Sequence, residues 1–167
     1  LDKFNIKTES VNGIRISTSE SVQFIKMAAF DAANRIMTLL AENKKSAIIG
    51  NWVKARSLGV INGIDYQHTG IVDNLDTEKL LMVLESGSIP IFPNIGWNAT
   101  GKPYNISSNE LSVTISRKVQ ASKLFFLNAR EPISTSNYNM PNTAEISMDG
   151  TISQLTLGEA KHFIELN

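Results

Sequence analysis

At 167 residues and 42% hydrophobic content, the chain can bury one respectable core, which suits a single domain or a large part of a bigger one. Sixteen Lys and Arg balance sixteen Asp and Glu with no basic stripe, which argues against a phosphate-dominated nucleic-acid binder. Zero cysteines remove disulfides and thiolate metal sites, the two histidines His68 and His162 stand far apart, and no long apolar run suits a membrane span, so neither metal nor membrane is expected. Without a charged and then apolar leader, the chain reads as cytoplasmic. It opens on Leu1-Asp2-Lys3-Phe4 and stops just after the helix-like Leu157 to Leu166, so both ends read as cuts through a longer protein.

Lys7 to Ile16 places Val11, Ile14 and Ile16 around Asn12-Gly13, which predicts a hairpin. Ser17 followed by Glu20 fits a capping box, and Val22, Ile25, Ala29, Ala33, Ile36 and Leu40 recur at helical spacing, so a helix is expected over 19–42. Ala47-Ile48-Ile49-Gly50 suits a strand covered on both faces, and 55–72, broken by Gly59, Gly63 and Gly70, suits short strands joined by turns. Asp76 caps an expected helix over Thr77 to Ser86, with Leu80, Leu81 and Leu84 inward and Gly87 as its stop.

Ser88 to Pro93 is extended and apolar, and Asn94 to Ser108 reads as a loop. Ser107 or Ser108 then caps a helix whose Leu111, Ile115 and Val119 fall four apart, and Lys123 to Leu127 suits a buried strand. Asn128 to Asn142 is expected to be irregular. Asp149-Gly150 predicts a second hairpin, between Ala144 to Met148 and Thr151 to Leu155, and Thr156 starts a final helix. Strands alternating with helices argue for an α/β layered fold with a largely parallel sheet.

Few residues point to chemistry. No two glycines are adjacent or separated by one residue, so the G-x-G-x-x-G nucleotide loop is absent, and no G-x-x-x-x-G-K-[ST] run occurs. No close glycine pair offers an acetyl-coenzyme A pyrophosphate a cradle either. No serine sits in a G-x-S-x-G elbow, and Asp73 and Asp76 lie where acids serve as helix caps. His68, within Asp65-Tyr66-Gln67-His68-Thr69-Gly70, reads first as a turn histidine bonded to backbone and second as a ligand or interface residue. Arg15, inside the strand-like Ile14-Arg15-Ile16, offers a two-pronged fork for a carboxylate; the competing reading is a salt bridge on a sheet face.

Val11 to Ser17, Leu58-Gly59-Val60, Gly63 to Gly70, and Gly87 to Pro90 through Gly101, Asn105 and Lys123-Leu124 together resemble the amino-acid kinase family. The Gly-x-Asp-Tyr-x-His-x-Gly segment is similar to bacterial-type N-acetylglutamate synthases more than to acetylglutamate kinases. The likeness covers roughly residues 1 to 128. It implies a three-layer sandwich, present here as part of one domain that lacks its first strand, with the glycine-rich turn and phosphate lysine of the kinases, and its C-terminal portion.

In the synthases the related domain binds arginine as a feedback inhibitor, while a separate domain transfers the acetyl group from acetyl-coenzyme A. The resemblance therefore implies a regulatory, non-catalytic domain of an arginine-biosynthetic synthase, with no cofactor of its own and acetyl-coenzyme A in the parent enzyme. Arg15 matches the kinase arginine that holds the acetylglutamate carboxylate, and Asn105 matches the asparagine beside that ligand. The expected ligand is thus arginine or an acetylglutamate-like amino acid. Kinases carry Asp four residues beyond that asparagine, where this chain has Asn109, and a glycine after the strand where this chain reads Asn128-Ala129-Arg130-Glu131; both departures argue against phosphoryl transfer. Asp65, Tyr66 and His68 are candidates for a structural or interface role, and a homo-oligomer is expected. The alternatives are an acetylglutamate kinase fragment and a stand-alone small-molecule-binding module.

Overall fold

A computed structural model describes residue 6, residues 8–127 and residues 132–167, in two compact units that meet in sequence at Leu124 and Phe125. In the first unit β1 (Glu9–Val11) and β2 (Ile14–Ile16) form the expected antiparallel hairpin. Asn12 and Gly13 turn it with φ of 50° and 77°, the paired positive values that a two-residue hairpin turn requires. Helix α1 (Ser21–Glu42) follows, then β3 (Ala47–Ile49), β4 (Val53–Ser57), β5 (Val60–Ile61), β6 (Ile64–Asp65) and β7 (Thr69–Leu75). Next come α2 (Thr77–Glu85), β8 (Ile89–Ile91), β9 (Ile95–Trp97), β10 (Pro103–Ile106) and α3 (Ser108–Lys118).

Strands β10, β7, β4 and β9 close into a small barrel, in which β7 runs parallel to β10 and antiparallel to β4, while β9 runs antiparallel to β10 and parallel to β4. Strands β3 and β8 pair in parallel, so the α/β class holds with parallel and antiparallel ladders mixed. Trp52, Val53, Ala55, Leu75, Tyr104 and Ile106 fill the core beneath Leu80 of α2 and Leu111 of α3. Helices α2 and α3 begin where their caps predict: Asp76 accepts from the Lys79 N–H and Ser107 from the Glu110 N–H. The Lys79 side chain also donates to Asp76 at 2.6 Å, and this bond is the first cause holding the Asp76 carboxyl below the usual range.

The second unit holds β11 (Glu145–Ile146), β12 (Ile152–Gln154) and α4 (Leu157–Leu166). The Asp149-Gly150 hairpin forms with strands shorter than expected and a shift in register. Thr156 and Glu159 close a capping box at the start of α4. Hydrogen bonds from the Thr143 side chain and then from Thr156 hold the Glu159 carboxyl below its usual range.

Several expectations need correction. The capping box expected of Ser17 and Glu20 does not form, because Ser17 is wholly buried against β7; Thr18 takes over, its hydroxyl accepting from the Ser21 N–H at 3.0 Å. The α1 stripe is buried at Val22, Ile25 and Ala33, while Ile36 is 49% exposed. On α2 only Leu80 is buried and Val83 packs partly buried against the core, while Leu81 and Leu84 are exposed. Strand β3 is not covered on both faces, as Ile48 is exposed.

The stretch read as a loop, 94–108, is mostly the β9–β10 hairpin. Only its turn is loop, where the Asn98 Oδ1 accepts from the Thr100 and Lys102 N–H groups. Lys123 to Leu127 is not a strand: no ladder reaches it among the described residues, and Leu127 is 96% exposed. Of the expected irregular segment, 128–131 lie outside the described residues, as do Lys7 and 1–5, and 132–142 are irregular apart from one bridge between Ser134 and Thr151.

A four-stranded barrel demands close approach of its walls. A Cβ on Gly70 would stand 2.7 Å from both the Arg56 carbonyl oxygen and the Tyr104 Cβ, and neither is the movable tip of a side chain. Gly70→Ala is therefore expected to lower the stability of the chain by about 1–3 kcal/mol. Urea unfolding checks this; an alanine variant as stable as the parent would show that the barrel has slack at this crossing.

Candidate functional site

Parallel pairing of β7 with β10 sets Asn105 beside Thr69 in register. On leaving β2 the chain docks onto the start of β7, where the His68 N–H donates to the Ser17 carbonyl at 2.8 Å and the Ser17 N–H donates to Thr69 Oγ1 at 3.0 Å. Thr69 Oγ1 in turn donates to the Arg15 carbonyl at 2.5 Å, and the Ser17 and Thr69 hydroxyls lie 3.1 Å apart. Ser17 Oγ accepts from Asn105 Nδ2 at 3.0 Å, and Asn94 Nδ2 donates to Asn105 Oδ1 at 3.0 Å. One run of bonds thus joins Asn94, Asn105, Ser17 and Thr69 to the backbone of Arg15.

Above this run lies a cleft of about 550 Å³, within the range of small-molecule sites, and Arg15, Thr69, Asn94, Asn105, Ser107 and Glu110 are among its lining. The two residues carried over from the resemblance, Arg15 and Asn105, are therefore brought to one cavity. Arg15 is exposed and takes part in no ion pair among the described residues, which leaves the sheet-face salt bridge without a partner. Asn105 spends one amide proton and one lone pair on Ser17 and Asn94, and keeps one of each for another group.

Asp65, Tyr66 and His68 do not line the cleft but shape the turn that delivers Thr69. Asp65 Oδ1 accepts from the Gln67 N–H at 2.9 Å, and the Tyr66 carbonyl accepts from the Thr69 N–H at 2.8 Å while the Tyr66 side chain is buried. The His68 ring lies 3.0 Å from the Pro103 carbonyl through Nδ1, so that nitrogen carries a proton; the His68 carbonyl accepts from the Asn105 N–H at 2.8 Å. This is the turn histidine bonded to backbone. Ser17, Thr69, Asn94 and Glu110 escaped sequence reasoning: the first passed for a helix cap, the third for part of a loop, and the last drew no reading at all.

Comparison with known proteins places this geometry in a family. The Amino acid kinase family matches residues 3–162, and the chain belongs to that family. Among its curated relatives, the amino-acid acetyltransferase of Ralstonia nicotianae is 28% identical over 163 residues, which are 92% of this chain and 36% of the relative. The acetylglutamate kinase of Caldicellulosiruptor saccharolyticus is 24% identical over 168 residues, 95% of this chain and 57% of the kinase.

The N-acetylglutamate synthase of Neisseria gonorrhoeae has the same fold. Its complex with coenzyme A and N-acetyl-glutamate superposes with a TM-score of 0.83 at 24% identity, covering 99% of this chain and 37% of the synthase. Its complex with coenzyme A and L-arginine gives 0.83 at 23% identity, covering 99% and 38%. The chain is thus an amino-acid kinase-like domain homologous to N-acetylglutamate synthases, and it spans about a third of the length of the acetyltransferases it matches. Among the described residues no helix is long and apolar enough to cross a membrane, and no cluster of three or more His, Asp or Glu could hold a metal ion.

Removing the Thr69 hydroxyl would strand the buried Ser17 N–H and the Arg15 carbonyl. Thr69→Val, nearly the same shape, is expected to cost about 1–3 kcal/mol for groups left unpaired, whereas Thr69→Ser keeps the hydroxyl and should lose no more than about 1 kcal/mol for the missing methyl. Denaturant titration of both variants checks the pair. A Thr69→Val variant as stable as the parent chain would mean that the hydroxyl holds nothing together.

Proposed function

We propose that this chain is a non-catalytic regulatory domain of an N-acetylglutamate synthase, and that it binds an amino-acid effector, arginine or an acetylglutamate-like molecule, in the cleft shared by Arg15 and Asn105. The observation that carries the reading is a guanidinium with no ion-pair partner among the described residues, on the wall of a cavity whose floor is a hydrogen-bonded run of small polar side chains. A carboxylate supplies the two acceptors that such a fork seeks. The names of the relatives support the parent enzyme: an amino-acid acetyltransferase aligned over most of this chain and a third of its own length, and a synthase complexed with coenzyme A and either N-acetyl-glutamate or L-arginine. Acetyl-coenzyme A then belongs to the parent protein and not to this chain.

Both compact units belong, in this reading, to one amino-acid kinase-like domain, since the family match runs across their junction. The domain works as a subunit of a homo-oligomer, for which the exposed Ile36 and Leu39, three apart on α1, offer apolar contact surface. The competing reading is an acetylglutamate kinase fragment, supported by the Caldicellulosiruptor relative. Asn109 weighs against it, because the neutral amide in the first turn of α3 cannot organise cationic groups as the kinase carboxylate does.

A charge-assisted bond to a carboxylate is worth about 1.5–3 kcal/mol, so Arg15→Ala is expected to weaken the effector by roughly ten- to a hundred-fold, with Arg15→Lys in between. Calorimetric titration with L-arginine and with N-acetyl-L-glutamate measures it. Tight binding that ignores the alanine substitution would place the effector elsewhere.

A further inference from the structure

The cleft is lined by two charged residues among the described ones, Arg15 on β2 and Glu110 in the first turn of α3. They are of opposite sign. Neither takes part in an ion pair with the other or with any other described residue, although Arg56 with Asp73 and Lys79 with Asp76 show that exposed charges on this chain do find partners. The Glu110 backbone is fixed at the start of α3, its N–H donating to Ser107 Oγ at 3.4 Å, and its side chain is exposed. Two opposite charges on the lining of one cavity, neither in an ion pair among the described residues, describe a ligand that carries both signs.

We infer that the cleft selects an amino acid with an unblocked α-ammonium, its carboxylate on Arg15 and its ammonium on Glu110, over the N-acylated form of the same amino acid. This rests on the reading above that the cleft is an amino-acid site, and it decides between the two ligand classes left open there. Acylation turns a three-proton cation into a neutral amide with one proton and adds a carbonyl oxygen. Glu110, an acceptor only, then meets a weaker donor and a repelling lone pair. The structural alternative makes Glu110 a partner of the α3 dipole and nothing more. On that account the blocking group is a matter of indifference.

The experiment is calorimetric titration of the full chain with two matched pairs, L-glutamate with N-acetyl-L-glutamate and L-arginine with Nα-acetyl-L-arginine, on the parent, Glu110→Gln and Arg15→Ala. In the pair that binds, the free amino acid should be favoured by about ten-fold, the low end for a charge-assisted bond at an open site. Glu110→Gln, which keeps size and helix position, should shrink that preference to about two-fold by weakening the free form, with at most a small fall in melting temperature from the charge lost at the α3 dipole. Acylated forms binding as tightly as free ones, or a preference that survives Glu110→Gln while Arg15→Ala still weakens binding, would overturn this inference and leave the cleft reading intact. Failure of both pairs to bind the parent chain, or binding indifferent to Arg15→Ala, would overturn the cleft reading and this inference with it.

Discussion

The bond from the Thr69 hydroxyl to the Arg15 carbonyl joins the N-terminal hairpin to the barrel, and the placement of Arg15 on the cleft follows from it. Thr69 is 7% exposed and Ser17 is wholly buried, so their polar groups have little water to turn to. Burial of a hydroxyl or a peptide group is tolerable only when a partner is present. Here each supplies the other's partner, and among the described residues no buried side-chain oxygen or nitrogen is left without one. A shift of β2 along β7 by one position would break three of these bonds at once, so the register of the hairpin is firmly specified.

Rigidity beneath the cleft comes from the barrel. Parallel pairing of β10 with β7 fixes Asn105 against Thr69, and the tight crossing at Gly70, with Gly96 close to Ala55 and Ile106, leaves the strands no freedom to slide. Asn105 is held at both ends of its amide, so its remaining proton and lone pair point in a set direction before any ligand arrives. Preorganisation of this kind lowers the ordering cost of binding. Arg15 and Glu110 contrast with it, as their exposed side chains take part in no ion pair among the described residues.

How much of this was legible in the sequence divides along local and non-local lines. Asn12-Gly13, Asp76, Ser107 and the Thr156–Glu159 capping box speak through neighbours within four residues, and the elements they mark formed where expected. Ser17 and Glu20 carry the same local pattern, yet a partner 52 residues away claims the Ser17 backbone instead. The β9–β10 hairpin was hidden because Asn98 to Gly101 colours the whole segment with turn residues, while alternate burial of Ile95, Tyr104 and Ile106 depends on which strands lie alongside. Lys123 to Leu127 erred the opposite way, an apolar run with no strand to pair with. Arg15 was singled out by its fork and strand setting and Asn105 through family likeness; Asn94 and Glu110 fit no motif, Thr69 fills an open position of one, and only the pairing of distant strands makes them neighbours.

The central claim is that an amino acid enters the cleft above the Thr69, Ser17 and Asn105 run. Nitrogen-15 correlation spectra of the full 18.4 kDa chain during titration with L-arginine and with L-glutamate test it most directly. With at least one of the two, the Arg15 Nε and Asn105 Nδ2 resonances should move and saturate together, while Asn98 Nδ2 in the hairpin turn stays in place. Saturable shifts that spare both Arg15 and Asn105, or no saturable shift with either amino acid, would contradict the account.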